Sequence, residues 1–217
     1  MTEGTKMLRR LAAVLLVLGL IGWFGAFLCC FWLSRVAPAD VEFPLAELKA
    51  VALDSRGRIY CATMAYARVQ VYDQVGRFQR GWYVDAAGGV FAIWSDRKDH
   101  IHVMTARNDT HYVFATDGRL LRRERIADPH FTKRSARVRD SSGTTYEVRR
   151  PSIWPQVVKI DPSGNESVIV SPRLDLWWVS GPFPAWIFVA AGILLFGAAD
   201  KLVRPGSREE SGEHSTG

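Results

Sequence analysis

Three histidines lie close together along the chain and are the first candidates for a metal site. His100 and His102 are two residues apart on a predicted strand, so both side chains point to one face of that strand. His111 begins the next predicted strand, and Asp96 and Asp99 precede the first. A zinc site needs three or four such ligands converging at about 2.0–2.2 Å. We favour the simpler interpretation, in which these residues form an exposed polar strand face and bind no metal.

Six aspartates in predicted turns raise the alternative of calcium binding. They are Asp54, Asp73, Asp96, Asp117, Asp140 and Asp161. A calcium site takes about six to eight oxygens, usually from several acidic residues of one loop. Each of these turns offers little more than one aspartate and a glycine. Since an aspartate side chain accepts hydrogen bonds from the backbone just after it, we expect the aspartates to build the turns.

The stretch from residue 119 to 150 is rich in arginine and lysine. Its candidate patch for an anionic partner consists of Arg122, Arg123, Arg125, Lys133 and Arg134. A basic patch favours lipid headgroups, cell-wall polymers or acidic protein surfaces. The simpler interpretation, a solvated arginine-rich surface, is favoured over a specific site.

Motifs of common enzyme classes are not visible in the sequence. It contains no Ser-His-Asp arrangement, paired carboxylate motif, nucleotide loop or Cys-x-x-Cys, so no catalytic residue and no cofactor are predicted. The three cysteines do not form a disulfide framework, because Cys29 and Cys30 are neighbours in an apolar run and Cys61 stands alone. We expect Cys61 to be a small buried hydrophobic residue and Trp94 to pack in the core.

The elements that must position these residues recur three times, at about 50–82, 90–125 and 136–170. Each copy contains four short strands of alternating polarity separated by tight turns. The aspartates of the last turn in each copy, Asp73, Asp117 and Asp161, are separated by the same 44 residues in both steps (117 − 73 and 161 − 117). A fixed spacing in this range with four strands per unit predicts one propeller blade per copy.

The segments VALDSRGRIYCA and VQVYDQVGRF of the first copy resemble the NHL and related β-propeller repeats. The resemblance covers about residues 50–170 and implies an all-β, propeller-like fold. It carries over no functional residue. Propellers of this kind mostly bind proteins, sugars or nucleic acids, and some are enzymes, so the fold alone does not choose a function.

Only three blades are visible, whereas closed propellers use about four to eight. A fourth, degenerate blade built from 41–48 and 167–178 would close the ring within one chain. Otherwise the exposed sheets must be covered by a protein partner or by a second copy, which would give six blades.

Two apolar segments flank the repeats. Leu11 to Leu33 runs 23 residues without a charge, which in a helix spans about 34 Å and is enough to cross a bilayer. The rival interpretation is a cleaved signal peptide, with Ala37-Pro38-Ala39 as its cleavage site. The second predicted helix is 176–200. The small residues Gly22, Gly25 and Ala26 of the first segment suit close packing against the second helix or a second copy, but glycine is also common in membrane helices in general.

Basic residues at the outer flanks of both apolar segments predict that the two termini lie in the cytoplasm. The expected order is a cytoplasmic N-terminus (1–10), a first transmembrane helix (11–33), an extracytoplasmic repeat domain (34–175), a second transmembrane helix (176–200) and a disordered cytoplasmic tail (201–217). The plasma membrane is the expected location. Nucleic acid is not an expected partner, because the repeat domain then lies outside the cell.

The function predicted from these observations is a membrane-anchored, non-enzymatic binding or assembly module. Its expected partners are the lipid bilayer and either another protein or a second copy of the chain. The first alternative is a ligand- or metal-binding sensor domain that signals through its helices to a separate effector. The second alternative is a membrane-anchored hydrolase or lyase.

Overall fold

The computed structural model describes residues 3–126, 136–151, 155–173 and 183–203 of the 217-residue chain. Lys133 and Arg134 of the predicted basic patch lie outside the described residues. So do the predicted tail beyond residue 203 and the approach to the second helix from 174 to 182.

The described residues contain three antiparallel sheets of four strands, in which the strands neighbour one another in chain order. Blade 1 consists of β1 (Leu48–Leu53), β2 (Ile59–Thr63), β3 (Arg68–Tyr72) and β4 (Phe78–Tyr83). Blade 2 consists of β5 (Phe91–Ser95), β6 (Ile101–Thr105), β7 (Thr110–Phe114) and β8 (Leu120–Arg125). Blade 3 consists of β9 (Arg137–Arg139), β10 (Thr145–Arg149), β11 (Gln156–Ile160) and β12 (Glu166–Val170). The predicted propeller-like fold of three four-stranded blades is confirmed.

The turn aspartates hold the blade turns together through their own backbones. Asp54 Oδ1 accepts hydrogen bonds from the backbone nitrogens of Arg56 (3.0 Å) and Arg58 (2.9 Å). Asp140 Oδ1 does the same for Ser142 (2.9 Å) and Thr144 (3.0 Å). Because the carboxylate fills the inside of the turn, these aspartates make the turns, as the sequence predicts.

Blade 1 lies between the other two blades and buries both of its faces. One face, which includes Tyr60, packs against blade 2 around Phe91 and Ile93 in a shared hydrophobic core. The opposite face packs against blade 3, where Ile59 and Tyr146 belong to a second core. Each fully buried large apolar side chain contributes about 1.5–3 kcal/mol, so these two cores fix the order of the blades.

The described parts of 41–48 and 167–178 do not form the fourth blade suggested by the sequence. Leu48 already belongs to β1, and residues 167–170 belong to β12, which pairs with β11. The segment before β1 is held by a side chain instead of a strand. The buried amide of Gln70 accepts a hydrogen bond from Phe43 N (2.6 Å) and donates one to Phe43 O (2.9 Å), so it satisfies backbone groups that a neighbouring strand would otherwise bind.

Arg68, the first residue of β3, is fully buried beneath the segment that enters the blades. Its guanidinium donates hydrogen bonds to the carbonyls of Ser34 (2.8 Å), Ala37 (3.4 Å) and Pro38 (3.2 Å), and it lies 4.7 Å from the ring centre of Phe43. Burial lowers the pKa of Arg68 to about 10. These hydrogen bonds attach residues 34–38 to blade 1.

The helices are α1 (Glu3–Leu28), a π-helical turn (Cys29–Leu33), α2 (Ser34–Val36) and α3 (Phe183–Val203). In the described residues, one helix, Glu3–Val36, is long and apolar enough to span a bilayer, a test that a signal sequence also passes. This helix includes most of the predicted polar N-terminus. The described helix α3 extends beyond the predicted end at residue 200, and its role as a second span stays a prediction.

Helices α1 and α3 pack side by side and antiparallel. Arg9 Nη2 lies 2.6 Å from Asp200 Oδ1 at one end of the pair. A Cβ atom on Gly19 would lie 2.6 Å from Val189 Cγ2, and one on Gly192 would lie 2.6 Å from Leu16 Cγ. Gly19 and Gly192 therefore permit the close approach of the two helices.

The residues that the sequence predicts for helix packing contribute less to it than Gly19 and Gly192 do. A Cβ atom on Gly22 would lie 3.4 Å from Ala185 Cβ, which is ordinary contact, and one on Gly25 would meet nothing within 4 Å. Ala26 is buried. The sequence identifies the small-residue character of the helix but not the face that α3 covers.

We expect Arg68→Lys to lower the free energy of unfolding by about 1–3 kcal/mol, because one ammonium cannot reach three carbonyls arranged for a planar guanidinium. Urea unfolding of the full-length protein in detergent, followed by tryptophan fluorescence, measures this change. Arg77→Lys is the control, since Arg77 is exposed in a blade turn. Equal midpoints for the two variants would contradict the role assigned to Arg68.

We expect Gly192→Leu to destabilise the helix pair by about 1–3 kcal/mol, because the new side chain would overlap Leu16 and the carbonyl of Ala12. Gly197→Leu is a matched control on the same helix, since a Cβ atom there would meet nothing within 4 Å. The midpoint of thermal loss of helical circular dichroism in detergent should fall for the first variant and not for the second. A similar midpoint for both would be incompatible with the observed packing.

Candidate functional site

One face of blade 2 packs against blade 1, and the other carries a row of polar and aromatic side chains. The strand register places Trp94 of β5 opposite His102 of β6, and His111 of β7 opposite Glu124 of β8. Directly paired residues of antiparallel strands share a face of the sheet. We call Trp94, His102, His111 and Glu124, together with Asp96 just after β5, the histidine face.

The side chains of the histidine face form a continuous chain of hydrogen bonds. His102 Nε2 lies 3.2 Å from Asp96 Oδ2, and His102 Nδ1 lies 3.0 Å from His111 Nε2. His111 Nδ1 lies 2.8 Å from Glu124 Oε1. The Trp94 ring stacks on both imidazoles, with centroid distances of 5.2 Å and 5.5 Å.

The prediction of an exposed polar strand face is wrong for the two central residues. The side chains of His102 and His111 are 15% and 10% exposed. Trp94 covers them from one side, and the carboxylates of Asp96 and Glu124 occupy their outer nitrogens. The face is therefore a partly buried hydrogen-bond network whose polar groups have partners.

An ionised carboxylate only accepts hydrogen bonds, so His102 Nε2 donates to Asp96 and His111 Nδ1 donates to Glu124. The two remaining ring nitrogens, His102 Nδ1 and His111 Nε2, face each other at 3.0 Å and link the two imidazoles.

The carboxylates of the network are held in their ionised form. Burial of Asp96 acts to raise its pKa, but hydrogen bonds from the backbone of His100 and Lys98 and from the rings of His102 and His100 outweigh burial and hold the pKa well below its usual range. The hydrogen bond from His111 is the main reason that the pKa of Glu124 is lowered, with a smaller contribution from the charge of Arg122.

These contacts account for all three histidines that the sequence singles out. His100 precedes β6 and places its Nδ1 3.1 Å from Asp96 Oδ2, so it shares that carboxylate with His102. Both ring nitrogens of His102 and of His111 take part in hydrogen bonds. Across the described ranges, no group of three or more histidine, cysteine, aspartate or glutamate residues is arranged to hold a metal ion.

A second feature lies at the blade ends that carry the turn aspartates. A cleft of about 510 Å³ is lined by the first turns of all three blades. Asp99 of blade 2 occupies the place that glycine takes in the equivalent turns, with φ 63°. Its carboxylate accepts hydrogen bonds from Ser55 N (2.7 Å) and Ser55 Oγ (2.5 Å) of blade 1, which joins the two turns. We call this feature the turn-end cleft.

The described members of the predicted basic patch lie on β8, where Arg122, Arg123 and Arg125 are exposed. Arg122 lies 3.3 Å from Glu124, and Arg123 lies 3.8 Å from Asp85 and over the Tyr112 ring. Two of the three arginines therefore have acidic neighbours. Binding of an anionic partner at this patch stays a prediction.

The sequence does not identify Trp94 and Glu124 as members of the histidine face. The sequence predicts Trp94 in the core, and it places Glu124 among the arginines of the basic stretch. Both are brought to the histidines by the register of four strands, which no local motif specifies. The alternation of β8 is the available signal, since Glu124 shares a face with His111 once the strand is paired.

No family model and no curated protein matches the chain. Among solved structures the chain is similar to a streptogramin B lyase, with 10% identity over 63% of this chain and 44% of that one and a TM-score of 0.36. It is also similar to virginiamycin B lyase from Staphylococcus aureus, with 9% identity over 58% of this chain and 41% of that one and a TM-score of 0.35. The aligned region therefore spans less than half the length of these proteins.

These likenesses concern the propeller-type fold and transfer no catalytic residue. They contradict the prediction that the protein is not an enzyme, because the solved proteins that resemble it include two lyases. The narrower assignment to NHL repeats stays a prediction.

The lowered pKa of Asp96 predicts a loss of stability in acid. A carboxylate whose pKa is lower in the folded state stabilises the fold above its unfolded pKa, about 3.9, and that contribution is lost as the pH falls toward the folded pKa. We expect Asp96→Asn to reduce the difference in unfolding midpoint between pH 7 and pH 3 more than Asp117→Asn does. The reason is that the pKa of Asp117 is lowered mainly by a hydrogen bond from the backbone of Arg119, whereas Asp96 also accepts hydrogen bonds from two imidazole rings.

Thermal unfolding of the full-length protein in detergent across this pH range measures both variants. Equal reductions for Asp96→Asn and Asp117→Asn would show that the histidine network adds nothing to the stability of the blade.

Proposed function

We propose that the protein is a membrane-anchored binding and assembly module whose propeller is completed by a second copy of the chain. Blade 1 buries both faces, whereas the described residues of blades 2 and 3 each contribute one face to a shared core. Two copies supply six blades, within the range of about four to eight that closed propellers use.

The two outward faces have complementary chemistry. Blade 2 presents Trp94, which is 37% exposed, and Arg122. On blade 3 the register places Val168 and Glu147 on the face turned away from blade 1, where Val168 is 53% exposed and Val158 is already buried. Each face thus offers an exposed apolar side chain, with a positive charge beside it on blade 2 and a negative charge beside it on blade 3. This combination suits the packing of one blade against another.

Twofold symmetry is compatible with anchoring in one membrane. Ser34 of α2 is bound by Arg68 at the start of β3, and Arg35 lies over the ring of Tyr83 at the end of β4. Those strand ends share one end of blade 1, since β3 and β4 are antiparallel. A twofold axis along the propeller axis would place both copies of α2 at the same end of the ring.

Anchoring and orientation are part of the proposal. The apolar helix Glu3–Val36 supports a retained anchor, and the basic residues Lys6, Arg9 and Arg10 near its start support a cytoplasmic N-terminus. The antiparallel packing of α1 and α3 supports a second span, which returns the chain to the side from which it started. The blades then lie outside the cytoplasm, where a completed ring offers its ends to a binding partner.

Two single variants test the proposed interface from its two sides. Trp94→Arg and Val168→Glu should each shift the full-length protein in detergent from dimer to monomer, because a charge would be buried against an apolar face. In a mixture of differently tagged variants, heterodimers should form and co-purify. Such a heterodimer has one unaltered contact, and its second contact places the introduced arginine opposite the introduced glutamate.

Val75→Arg is the matched control, since Val75 is 67% exposed in a blade turn away from both faces, and it should leave the dimer intact. Circular dichroism establishes that each variant is folded. Dimers that survive both single variants, or a mixture of variants that does not form heterodimers, would contradict pairing of blade 2 with blade 3.

A further inference from the structure

The lining of the turn-end cleft is polar and charged. Its residues come from the β1–β2 turn of blade 1, the β5–β6 turn of blade 2 and the β9–β10 turn of blade 3, with Gln74 and Lys159 at its sides. Its volume of about 510 Å³ is that of a small-molecule site. A ligand that fits this lining must itself be polar or ionic, because an apolar one would leave charged groups without partners.

The carboxylates of the cleft already accept hydrogen bonds from other groups of the protein. Asp54 accepts from Arg58 Nε at 2.6 Å and from Tyr60 OH at 2.9 Å, and its side chain is fully buried. Asp96 is bound by the histidines, and Asp99 is bound by Ser55.

Asp140, the fourth carboxylate of the lining, accepts from Ser142 N at 2.9 Å and from Thr144 N at 3.0 Å. All four carboxylates thus bind groups of their own turns or a partner within the blades. Few carboxylate oxygens remain to bind a cation, although each carboxylate keeps its negative charge.

The basic side chains of the cleft, unlike its carboxylates, have few partners within the protein. Arg56, Arg97 and Lys159 line the cleft from blades 1, 2 and 3, and in the described part of the chain none of them forms an ion pair. Arg139, also from blade 3, donates its Nε to the carbonyl of Gly143 at 2.9 Å, which leaves its terminal nitrogens for other partners. Each blade therefore offers at least one cation to the same cavity.

We propose that the turn-end cleft binds a compact anion with two or more negative charges, either a polycarboxylate or a phosphate. Planar guanidinium groups bind both classes through paired hydrogen bonds, and the ammonium of Lys159 adds a third point of contact. Because three blades of one chain supply the cations, binding does not require the proposed dimer. Anion binding also bridges the turns of all three blades and stabilises their arrangement.

Isothermal titration of the full-length protein in detergent with citrate and with inorganic phosphate, at constant ionic strength, tests the proposal. We expect one site per chain for at least one of the two anions, and the preferred anion distinguishes the carboxylate class from the phosphate class. The triple variant Arg56→Gln, Arg97→Gln and Lys159→Gln should weaken that affinity about tenfold or more.

The control is a second triple variant, Arg77→Gln, Arg119→Gln and Arg125→Gln, which removes the same formal charge from positions that do not line the cleft. It should keep the affinity within about twofold, since only long-range attraction is lost. An equal loss in both triple variants would show attraction by net charge alone and would overturn the proposal. Absence of binding of both anions to the unaltered protein would overturn it as well.

Discussion

A β-sheet has two faces, and in this protein the central sheet is covered on both sides by its neighbours. Tyr60 and Ile59 are adjacent in β2, yet each belongs to a different core, one shared with blade 2 and one with blade 3. In a closed propeller each blade packs against a neighbour on both faces, whereas in the described residues each outer blade of this chain has one such neighbour. A second copy would supply the missing neighbours, since twofold pairing would cover both outer faces with surfaces that the chain already has.

The histidine face is suited to such a position. A buried polar network is tolerated when its members satisfy one another, and His102 and His111 have a partner at each ring nitrogen. The outer nitrogen of each imidazole meets a carboxylate, so neither Asp96 nor Glu124 is left without a hydrogen-bond partner. Trp94 covers the pair with an aromatic surface that is still partly exposed and available to another blade.

The repeating part of the fold is predictable from sequence because its signals are local. The spacing of Asp73, Asp117 and Asp161 marks the turns, and turn carboxylates bond their own backbones, so the strands between them fall where the alternation predicts. The place of Phe43 is not predictable in this way, because the amide of Gln70 holds it through a contact across 27 residues that no local pattern indicates. Likewise, the partners of the histidines depend on strand register, and the packing of Gly19 depends on which face of α1 meets α3.

The most direct test of a propeller completed by two chains is the mass of the unaltered full-length protein in mild detergent, measured by light scattering with the detergent contribution subtracted. We expect a protein mass of twice the chain mass of 24.3 kDa, constant over a dilution of about tenfold. A mass of 24.3 kDa at all concentrations, with the blades folded, would contradict it, since the outer faces of blades 2 and 3 would then need no second copy.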